Sequence, residues 1–188
     1  MIKLKISQFC DIVSGATPKT SNKEFWGGDV LWATPTDLSG IKSKFINSTQ
    51  RKITKAGLKG CSAKLLPIGT ILFSSRAPIG LIAINQVEMA TNQGFKSLIV
   101  DQSICSTDYL YHWLKKNRRM IDAMGVGATF KEVSKGIVGG IEVNLPSLGE
   151  QVEIAKALDK ADEVMRLHEA GMDAAVNLQK ILMKELVD

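Results

Sequence analysis

The sequence contains few of the residues that build disulfide frameworks or metal sites. Its three cysteines, Cys10, Cys61 and Cys105, are far apart and odd in number, so a network of structural disulfide bonds is not expected. Its two histidines, His112 and His168, do not stand beside a cysteine, and no zinc-binding spacing occurs. We therefore expect no metal site, and the scarcity of cysteine is typical of a reduced, cytoplasmic protein.

Long apolar runs are also missing. Residues 81–84 are typical of the longest such runs, whereas a helix that spans a bilayer needs about 20 predominantly apolar residues. The first five residues lack the apolar segment of a signal peptide. We expect a protein that does not engage a membrane.

Catalytic motifs are absent as well. The chain has no Gly-x-Gly-x-x-Gly after a predicted strand, no Walker loop, no Asn-Pro-Pro-Tyr-type methyltransferase motif and no His-Glu-x-x-His. No Asp or Glu is followed two residues later by Lys, so the acidic-x-Lys pattern of many nucleases is missing too. With two histidines and no carboxylate pair beside them, an acid–base pair has few candidates. We do not expect an enzyme.

Negative charge is missing from one long part of the chain. Residues 38–87 contain no Asp or Glu but eight cations, namely Lys42, Lys44, Arg51, Lys52, Lys55, Lys59, Lys64 and Arg76. Residues 1–146 carry 19 Lys and Arg against 10 Asp and Glu, a net charge of +9, whereas residues 147–188 carry a net charge of −4. Such a stretch favours contact with a polyanion. The alternative is a solvated basic loop.

The first 146 residues show short strands separated by turns. Apolar runs bounded by Gly, Pro or Asn predict strands at 30–33, 70–73, 79–84, 95–100 and 140–145. Thr54 is predicted to cap a short helix that ends near Lys59. The spacing of apolar residues predicts a longer helix from Thr107 to Met124, which Gly125 ends.

The pattern changes after Pro146. Ser147 and Glu150 fit a helix capping box, and no proline follows. Apolar residues then alternate four and three apart as far as Leu186, which predicts one helix of about forty residues, about 60 Å long. Because the chain has no second long helix to cover this stripe, we expect a homodimer. The predicted interface residues are Ile154, Leu158, Ala161, Met165, His168, Met172, Ala175 and Leu182.

Six short motifs follow one another in the basic part of the chain. Each is weak alone, because it consists mostly of turn-forming residues. They are Gly15-Ala16-Thr17-Pro18, Phe25-Trp26-Gly27-Gly28, Leu66-Pro67-Ile68-Gly69-Thr70, Ser75-Arg76-Ala77-Pro78-Ile79-Gly80, Thr91-Asn92-Gln93-Gly94-Phe95 and Gly127-Ala128-Thr129-Phe130-Lys131. Together with residues 145–151, which open the long helix, they make nearly the whole chain resemble a type I restriction–modification specificity subunit. Members usually carry two target-recognition domains and two long helices, so this sequence resembles a half-subunit or a truncated one.

The resemblance implies a fold and a set of partners. The expected fold is a mixed α/β (α+β) target-recognition domain over residues 1–146, which reads a few base pairs of double-stranded DNA. Residues 147–188 are then a helix that pairs antiparallel, as a coiled coil, and spaces two half-sites. The implied partners are methyltransferase (modification) subunits and a restriction subunit, and S-adenosylmethionine, ATP and magnesium are expected on them, with no cofactor on this chain. A two-fold homodimer favours a bipartite site with symmetric halves.

The predicted DNA-binding residues are Lys19, Thr20, Ser21, Asn22, Lys23, Arg51, Lys52, Lys55, Ser75, Arg76 and Lys131. The loop 19–23 is polar and cationic, but a plain exposed loop is an equal interpretation. Arg76 follows a predicted strand and either binds guanine with two hydrogen bonds, contacts phosphate or holds the fold. Arg51, Lys52 and Lys55 fit phosphate contact. Trp26 and Trp32 are expected to lie in the core and not to serve as stacking platforms. The cations at 115–119 are expected on a solvated face of a helix.

Two other functional classes stay open at this point. The first is a protein-assembly adaptor, in which the long helix recruits partners and the basic domain has only non-specific affinity for DNA. The second is a self-contained nuclease or methyltransferase, which the missing motifs disfavour. A preference for a particular duplex over random DNA separates the specificity component from the adaptor.

Overall fold

The structure is a computed structural model that describes residues 1–127 and 131–187, with the backbone alone at 181 and 184–187. The chain divides into two compact units, Met1–Val152 and Glu153–Asp188. Part of the sixth motif, residues 128–130, lies outside the described residues, and so does the side chain of Leu186 in the apolar stripe. In chain order the described strands and helices are β1 (Ile2–Lys5), β2 (Cys10–Ser14), β3 (Trp26–Ala33), α1 (Pro35–Ser39), β4 (Phe45–Ile46), β5 (Lys52–Ile53), α2 (Lys55–Lys59), β6 (Ile71–Phe73), β7 (Ile82–Asn85), β8 (Ala90–Thr91), β9 (Lys96–Val100), α3 (Thr107–Lys116), α4 (Arg118–Ala123), α5 (Lys135–Gly140), β10 (Glu142–Leu145) and α6 (Leu148–Val187).

A five-stranded sheet with the order β2-β9-β6-β7-β4 forms the centre of the first unit. Its strands pair antiparallel, except that β4 runs parallel to β7. Successive side chains of a strand point to opposite faces. In β6 the buried Ile71 and Phe73 join one apolar cluster and Leu72 joins another. The sheet is therefore covered on both faces, which explains why this strand is continuously apolar.

A smaller sheet, β5-β3-β8, lies in the same unit. In it, β3 pairs antiparallel with β5 and parallel with β8. A Cβ at Gly28 would come within 2.6 Å of the Thr54 Cα, so only glycine allows this close approach of the two segments. Trp32 is 2% exposed and packs in a cluster with Ile53. This sheet positions Trp26 and Trp32, and Arg51 directly precedes β5.

The last strand and the start of α6 belong to the first unit. β10 pairs antiparallel with β1. Gln151, only 1% exposed, accepts a hydrogen bond from the Ser106 amide over 2.8 Å and donates one to the Pro146 carbonyl over 3.0 Å. These bonds satisfy the polar side chain in the interior. The beginning of the long helix is thus held to the sheet-containing unit.

The sequence predicted the main strands and missed the short ones. The predicted strands at 30–33, 70–73, 95–100 and 140–145 correspond to β3, β6, β9 and β10. The strand predicted at 79–84 is wrong in its first half, because β7 begins at Ile82. Gly80 has a φ of +84°, and the Ser74 hydroxyl donates to the Pro78 carbonyl over 2.7 Å, so a turn precedes β7. Strands β1, β2, β4, β5 and β8 and helices α1 and α5 were not predicted.

The single helix predicted from Thr107 to Met124 is two helices, α3 and α4. Asn117 separates them with φ −92° and ψ 11°, and its side-chain amide donates to the Trp113 carbonyl over 2.7 Å. An asparagine side chain that bonds the backbone competes with the helical hydrogen bonds. Apolar spacing continues across the break, since Ile121 is fully buried. Spacing alone therefore did not reveal it.

The predicted long helix is confirmed as α6, with 40 residues. Its capping box is present: the Ser147 amide donates to Glu150 Oε2 over 2.9 Å, and the Glu150 amide donates to the Ser147 Oγ over 3.4 Å. Large apolar side chains of the second unit are exposed, with Leu158 at 42% and Met165 at 59%. Within the described ranges, no helix is both long and apolar enough to cross a bilayer.

Candidate nucleic-acid interface

A polar cleft of about 610 Å³ opens on the first unit beside β3 and α1. Six side chains of its lining are relevant to ligand binding, namely Thr17, Trp32, Gln50, Arg51, Asn92 and Gln93. The described residues that line the cleft include one cation and no carboxylate. The cleft therefore combines a positive charge with uncharged hydrogen-bonding groups.

Asp37 holds one wall of the cleft together without lining it. Its Oδ2 accepts hydrogen bonds from the Thr34 amide over 2.8 Å and from the Thr34 hydroxyl over 2.7 Å, which forms the capping box of α1. Its Oδ1 accepts from the Gln50 amide over 2.7 Å. Both carboxylate oxygens are thus occupied by α1 and by the segment that leads to Arg51. The Asp37 carboxylate near the cleft therefore stabilises the backbone of α1 and of the segment before Arg51.

Arg51 is the cation of the cleft, and two tryptophans hold it. Its guanidinium carbon lies 3.9 Å from the centroid of the Trp26 ring and 5.1 Å from that of Trp32. The Arg51 carbonyl accepts from the Thr49 hydroxyl over 2.6 Å and from the Trp32 amide over 3.2 Å, which fixes the backbone. Among the described residues, no carboxylate forms an ion pair with Arg51. The site therefore presents a positioned guanidinium whose charge is not neutralised.

Amide side chains stand on another wall of the cleft. The Thr17 hydroxyl donates to Gln93 Oε1. Asn92 Oδ1 accepts from the Gly94 amide over 2.9 Å. In both cases a side-chain oxygen is engaged, and within the described part of the chain the two amide nitrogens have no hydrogen-bond acceptor. Asn92 and Gln93 can therefore donate hydrogen bonds to a ligand in the cleft.

Arg76 and Ser75, both predicted to bind DNA, have intramolecular partners. Arg76 Nε donates to Glu132 Oε2 over 2.9 Å, and Lys96 Nζ donates to Glu132 Oε1 over 2.8 Å. The hydrogen bond from Lys96, assisted by Arg76 and opposed by partial burial, lowers the pKa of Glu132. Ser75 is fully buried, and its hydroxyl donates to the Gly94 carbonyl over 3.2 Å. A direct DNA contact is therefore not proposed for Ser75.

The predicted loop 19–23 packs next to the tryptophan that holds Arg51. The Lys19 carbonyl accepts from the Trp26 indole over 3.4 Å. Asn22 Oδ1 accepts from the Glu24 amide over 3.1 Å and caps a short helical turn. Four side chains of the loop are exposed, those of Lys19, Thr20, Ser21 and Lys23. The structure thus leaves this loop as an accessible flank of the Arg51 site.

Some cations outside the cleft are paired, and others are not. Lys44 donates to Asp108 over 2.8 Å, and Lys131 donates to Asp122 over 3.0 Å. Arg118, in the cation cluster at 115–119, donates to the Ile79 carbonyl over 2.9 Å. Four exposed lysines have no ion pair within the described ranges, namely Lys52, Lys55, Lys59 and Lys64. Two of them, Lys55 and Lys59, lie in α2. Residues 51–64 therefore contribute a group of unpaired positive charges beside the cleft.

Sequence reasoning did not select Thr17, Gln50, Asn92 and Gln93 as ligand-binding residues. The pair Asn92-Gln93 stands in a turn between two predicted strands, and two adjacent amides in a turn were the available signal. Trp32 is in the core, as expected, but half-buried Trp26 also supports Arg51, so it is not only a core residue. No group of three His, Cys, Asp or Glu side chains suited to a metal ion occurs among the residues described.

The family model and the relatives that match this chain all point to one family. The family model described as Type I restriction modification DNA specificity domain matches residues 2–177. The chain is 38% identical over 164 residues to the type I restriction enzyme MjaIX specificity subunit of Methanocaldococcus jannaschii, covering 86% of this chain and 38% of that protein. It is 30% identical over 171 residues to the EcoprrI specificity subunit of Escherichia coli, covering 84% of this chain and 41% of that protein.

Solved structures show the same fold. A chain from a type I R-M system superposes with a TM-score of 0.75 at 23% identity, covering 96% of this chain and 43% of that chain. The HsdS subunit from Thermoanaerobacter tengcongensis superposes with a TM-score of 0.68 at 22% identity, covering 90% of this chain and 39% of that chain. The predicted mixed α/β fold with a long C-terminal helix is confirmed.

The matched family is a class of DNA specificity domains, and the two relatives are named as specificity subunits of type I restriction enzymes. The chain belongs to the type I restriction modification DNA specificity family. It spans less than half the length of the curated relatives and of the solved chains that it matches.

Proposed function

We propose that this chain recognises a specific DNA sequence as the specificity component of a type I restriction–modification complex. The observation that carries the proposal is the cleft beside β3, where the unpaired Arg51 guanidinium stands among amide side chains that have donors to spare. Arginine, asparagine and glutamine are the side chains that most often read base edges. Residues 1–146 are the recognition domain in this proposal.

The lysines around the cleft provide affinity that does not depend on sequence. Lys52 and Lys55 follow Arg51 directly or closely and are exposed, and the loop 19–23 adds two more exposed lysines. Lysines that neutralise phosphates release counterions, and each phosphate contact adds about 0.9 to the slope of log affinity against log salt. The proposed interface is therefore a base-reading cleft flanked by phosphate-binding cations.

A second copy of the chain is proposed to cover the stripe of α6. Within the part of the chain that the structure describes, α6 is the one long helix, and the stripe residues Leu158, Met165, Met172 and Leu182 are 42 to 59% exposed. An apolar stripe at heptad spacing requires another helix. Because this chain spans 43% of a structurally similar chain, two copies together have roughly the length of one such protein. The pairing proposed is antiparallel, with the helix comprising residues 147–188.

A dimer of this kind reads a bipartite site. Two-fold symmetry presents two identical clefts, so the two half-sites have the same sequence in inverted orientation. The assembled specificity component then recruits methyltransferase and restriction subunits. Those subunits supply the chemistry and bind S-adenosylmethionine, ATP and magnesium.

The test is selection of bound duplexes from a random pool, using the full chain alone and with a type I modification subunit. We expect enrichment of an inverted, bipartite motif, and binding that weakens steeply as salt rises. Equal affinity for the enriched duplex and for random DNA would overturn the proposal and favour an assembly adaptor.

A further inference from the structure

The most informative side chain of the cleft is Arg51. Its guanidinium carbon lies 3.9 Å from the centre of the Trp26 ring, so an aromatic surface packs against the group. The donors of a guanidinium all point outward in the plane of the group. The edge of Arg51 is therefore the part that can hydrogen-bond to a ligand in the cleft.

We propose that Arg51 determines specificity by reading a guanine in the major groove, donating two parallel hydrogen bonds to its O6 and N7. This inference rests on the proposed function and names the base and the residue that reads it. In a two-fold dimer, one such guanine occurs at the same position in each half-site.

The surroundings of Arg51 favour a base over a phosphate. The other polar side chains that line the cleft are neutral, and they include the amides of Gln50, Asn92 and Gln93, which suit base edges. The unpaired lysines Lys52 and Lys55 do not line the cleft. Asp37, the nearby carboxylate, accepts hydrogen bonds from the Thr34 amide and the Gln50 amide and forms no ion pair with Arg51 in the described part of the chain.

The rigidity of the site also suits base reading. The Arg51 backbone is fixed by hydrogen bonds from Thr49 and Trp32, and its guanidinium packs against two indole rings that meet each other edge to face, with their centroids 5.1 Å apart. A side chain positioned before binding loses less freedom when it binds. A bidentate contact with guanine requires the two donors to be held in a defined orientation, and a guanidinium fixed before binding meets that requirement.

The first experiment uses the unaltered chain. After selection of the bound motif, each guanine is replaced in turn by 7-deazaguanine, which lacks the N7 acceptor. We expect one guanine in each half-site at which this replacement weakens binding on the order of tenfold. If no guanine is sensitive, the inference is overturned.

The second experiment couples that guanine to Arg51. Arg51→Met keeps most of the length of the side chain but removes every hydrogen-bond donor. We expect this variant to bind the natural duplex on the order of tenfold more weakly and to show no further penalty with 7-deazaguanine at the sensitive position. Lys52→Ala is the matched control, and we expect it to weaken all duplexes uniformly while the 7-deazaguanine penalty stays intact.

The outcomes separate the two proposals. If the unaltered chain enriches no motif, the proposed function fails and this inference fails with it. If the chain enriches a motif, but Arg51→Met retains the 7-deazaguanine penalty, only the role of Arg51 is overturned. A selected motif that is unchanged in Arg51→Ala, with a salt slope reduced by about 0.9, identifies Arg51 as a phosphate ligand and also overturns the inference.

Discussion

Lys96 donates a hydrogen bond to Glu132 over 2.8 Å from a side chain that is only 8% exposed. The other oxygen of Glu132 accepts from Arg76, whose side chain is 45% exposed. One carboxylate therefore joins a cation of the interior to a cation of the surface. The pairing explains why β9 tolerates a buried lysine at its first position, and it ties the segment after β6 to the segment before α5.

Removing the Glu132 charge should destabilise the first unit. In Glu132→Gln the Lys96 ammonium stays in the interior without its counter-ion, and an uncompensated buried charge is strongly unfavourable. We expect a loss of about 2–3 kcal/mol in the free energy of unfolding, below the range for fully buried pairs because Glu132 is 28% exposed. Urea unfolding followed by tryptophan fluorescence measures it.

The matched control is Glu142→Gln. Glu142 pairs with Lys3 over 2.6 Å, but both side chains are largely exposed, at 49% and 61%. Exposed pairs contribute little, so we expect a much smaller loss of stability than for Glu132→Gln. Equal effects of the two substitutions would show that the burial of Lys96 has no energetic consequence.

The same contact predicts a dependence of stability on pH. The hydrogen bond from Lys96 is the main reason that the pKa of Glu132 lies below its ordinary value of 4.5. A carboxylate whose pKa is lower in the folded state contributes stability that is complete above the unfolded pKa and is lost as pH falls through the folded one. Between pH 7 and about pH 3.5 we expect the unaltered chain to lose more stability than Glu132→Gln. Parallel urea midpoints for the two proteins would contradict this.

Gly80 should not tolerate a side chain. Its φ is +84°, and a Cβ there would come within 2.4 Å of the Arg118 Cγ. We expect Gly80→Ala to cost about 1–2 kcal/mol from the backbone conformation alone. At Gly40, φ is −97° and no atom lies within 4 Å of the Cβ position. Gly40→Ala should therefore be neutral or stabilise by about 0.4–1 kcal/mol. Thermal unfolding of both variants is the measurement.

Charged residues in the α6 stripe should separate the proposed dimer. Leu158 and Met165 lie on the stripe and are exposed in the single chain. Leu158→Glu and Met165→Glu each place two carboxylates in a two-fold interface, and we expect the dissociation constant to rise on the order of 100-fold or more. Light scattering over a concentration series measures the mass.

Ala170→Glu is the control for these two substitutions, since Ala170 is exposed but falls outside the stripe. We expect its mass to remain that of the unaltered protein. All three tryptophans lie in the first unit, so unchanged tryptophan fluorescence shows that the recognition domain stays folded. If both stripe variants keep the mass of the unaltered chain, a second copy does not cover α6.

The long helix was predictable because its determinants are local. The cap formed by Ser147 and Glu150 joins residues three positions apart, and the heptad spacing repeats every two turns of the same segment. The same local rules gave one helix where the structure has α3 and α4, because the Asn117 side chain turns back on the Trp113 carbonyl. Spacing records which face is apolar and does not record such a hydrogen bond.

The cleft and the ion pairs depend on residues that are distant in the sequence. Glu132 is 36 residues from Lys96 and 56 from Arg76, so a count of charges along the chain treated Arg76 as an unpaired cation. Thr17 meets Gln93 across 76 positions, and Arg51 reaches Trp26 because β3 pairs with β5. Composition predicted that this part of the chain carries excess positive charge. Strand pairing decided that the Arg51 guanidinium lies against Trp26 and Trp32, because the register of β3 and β5 brings these distant side chains together.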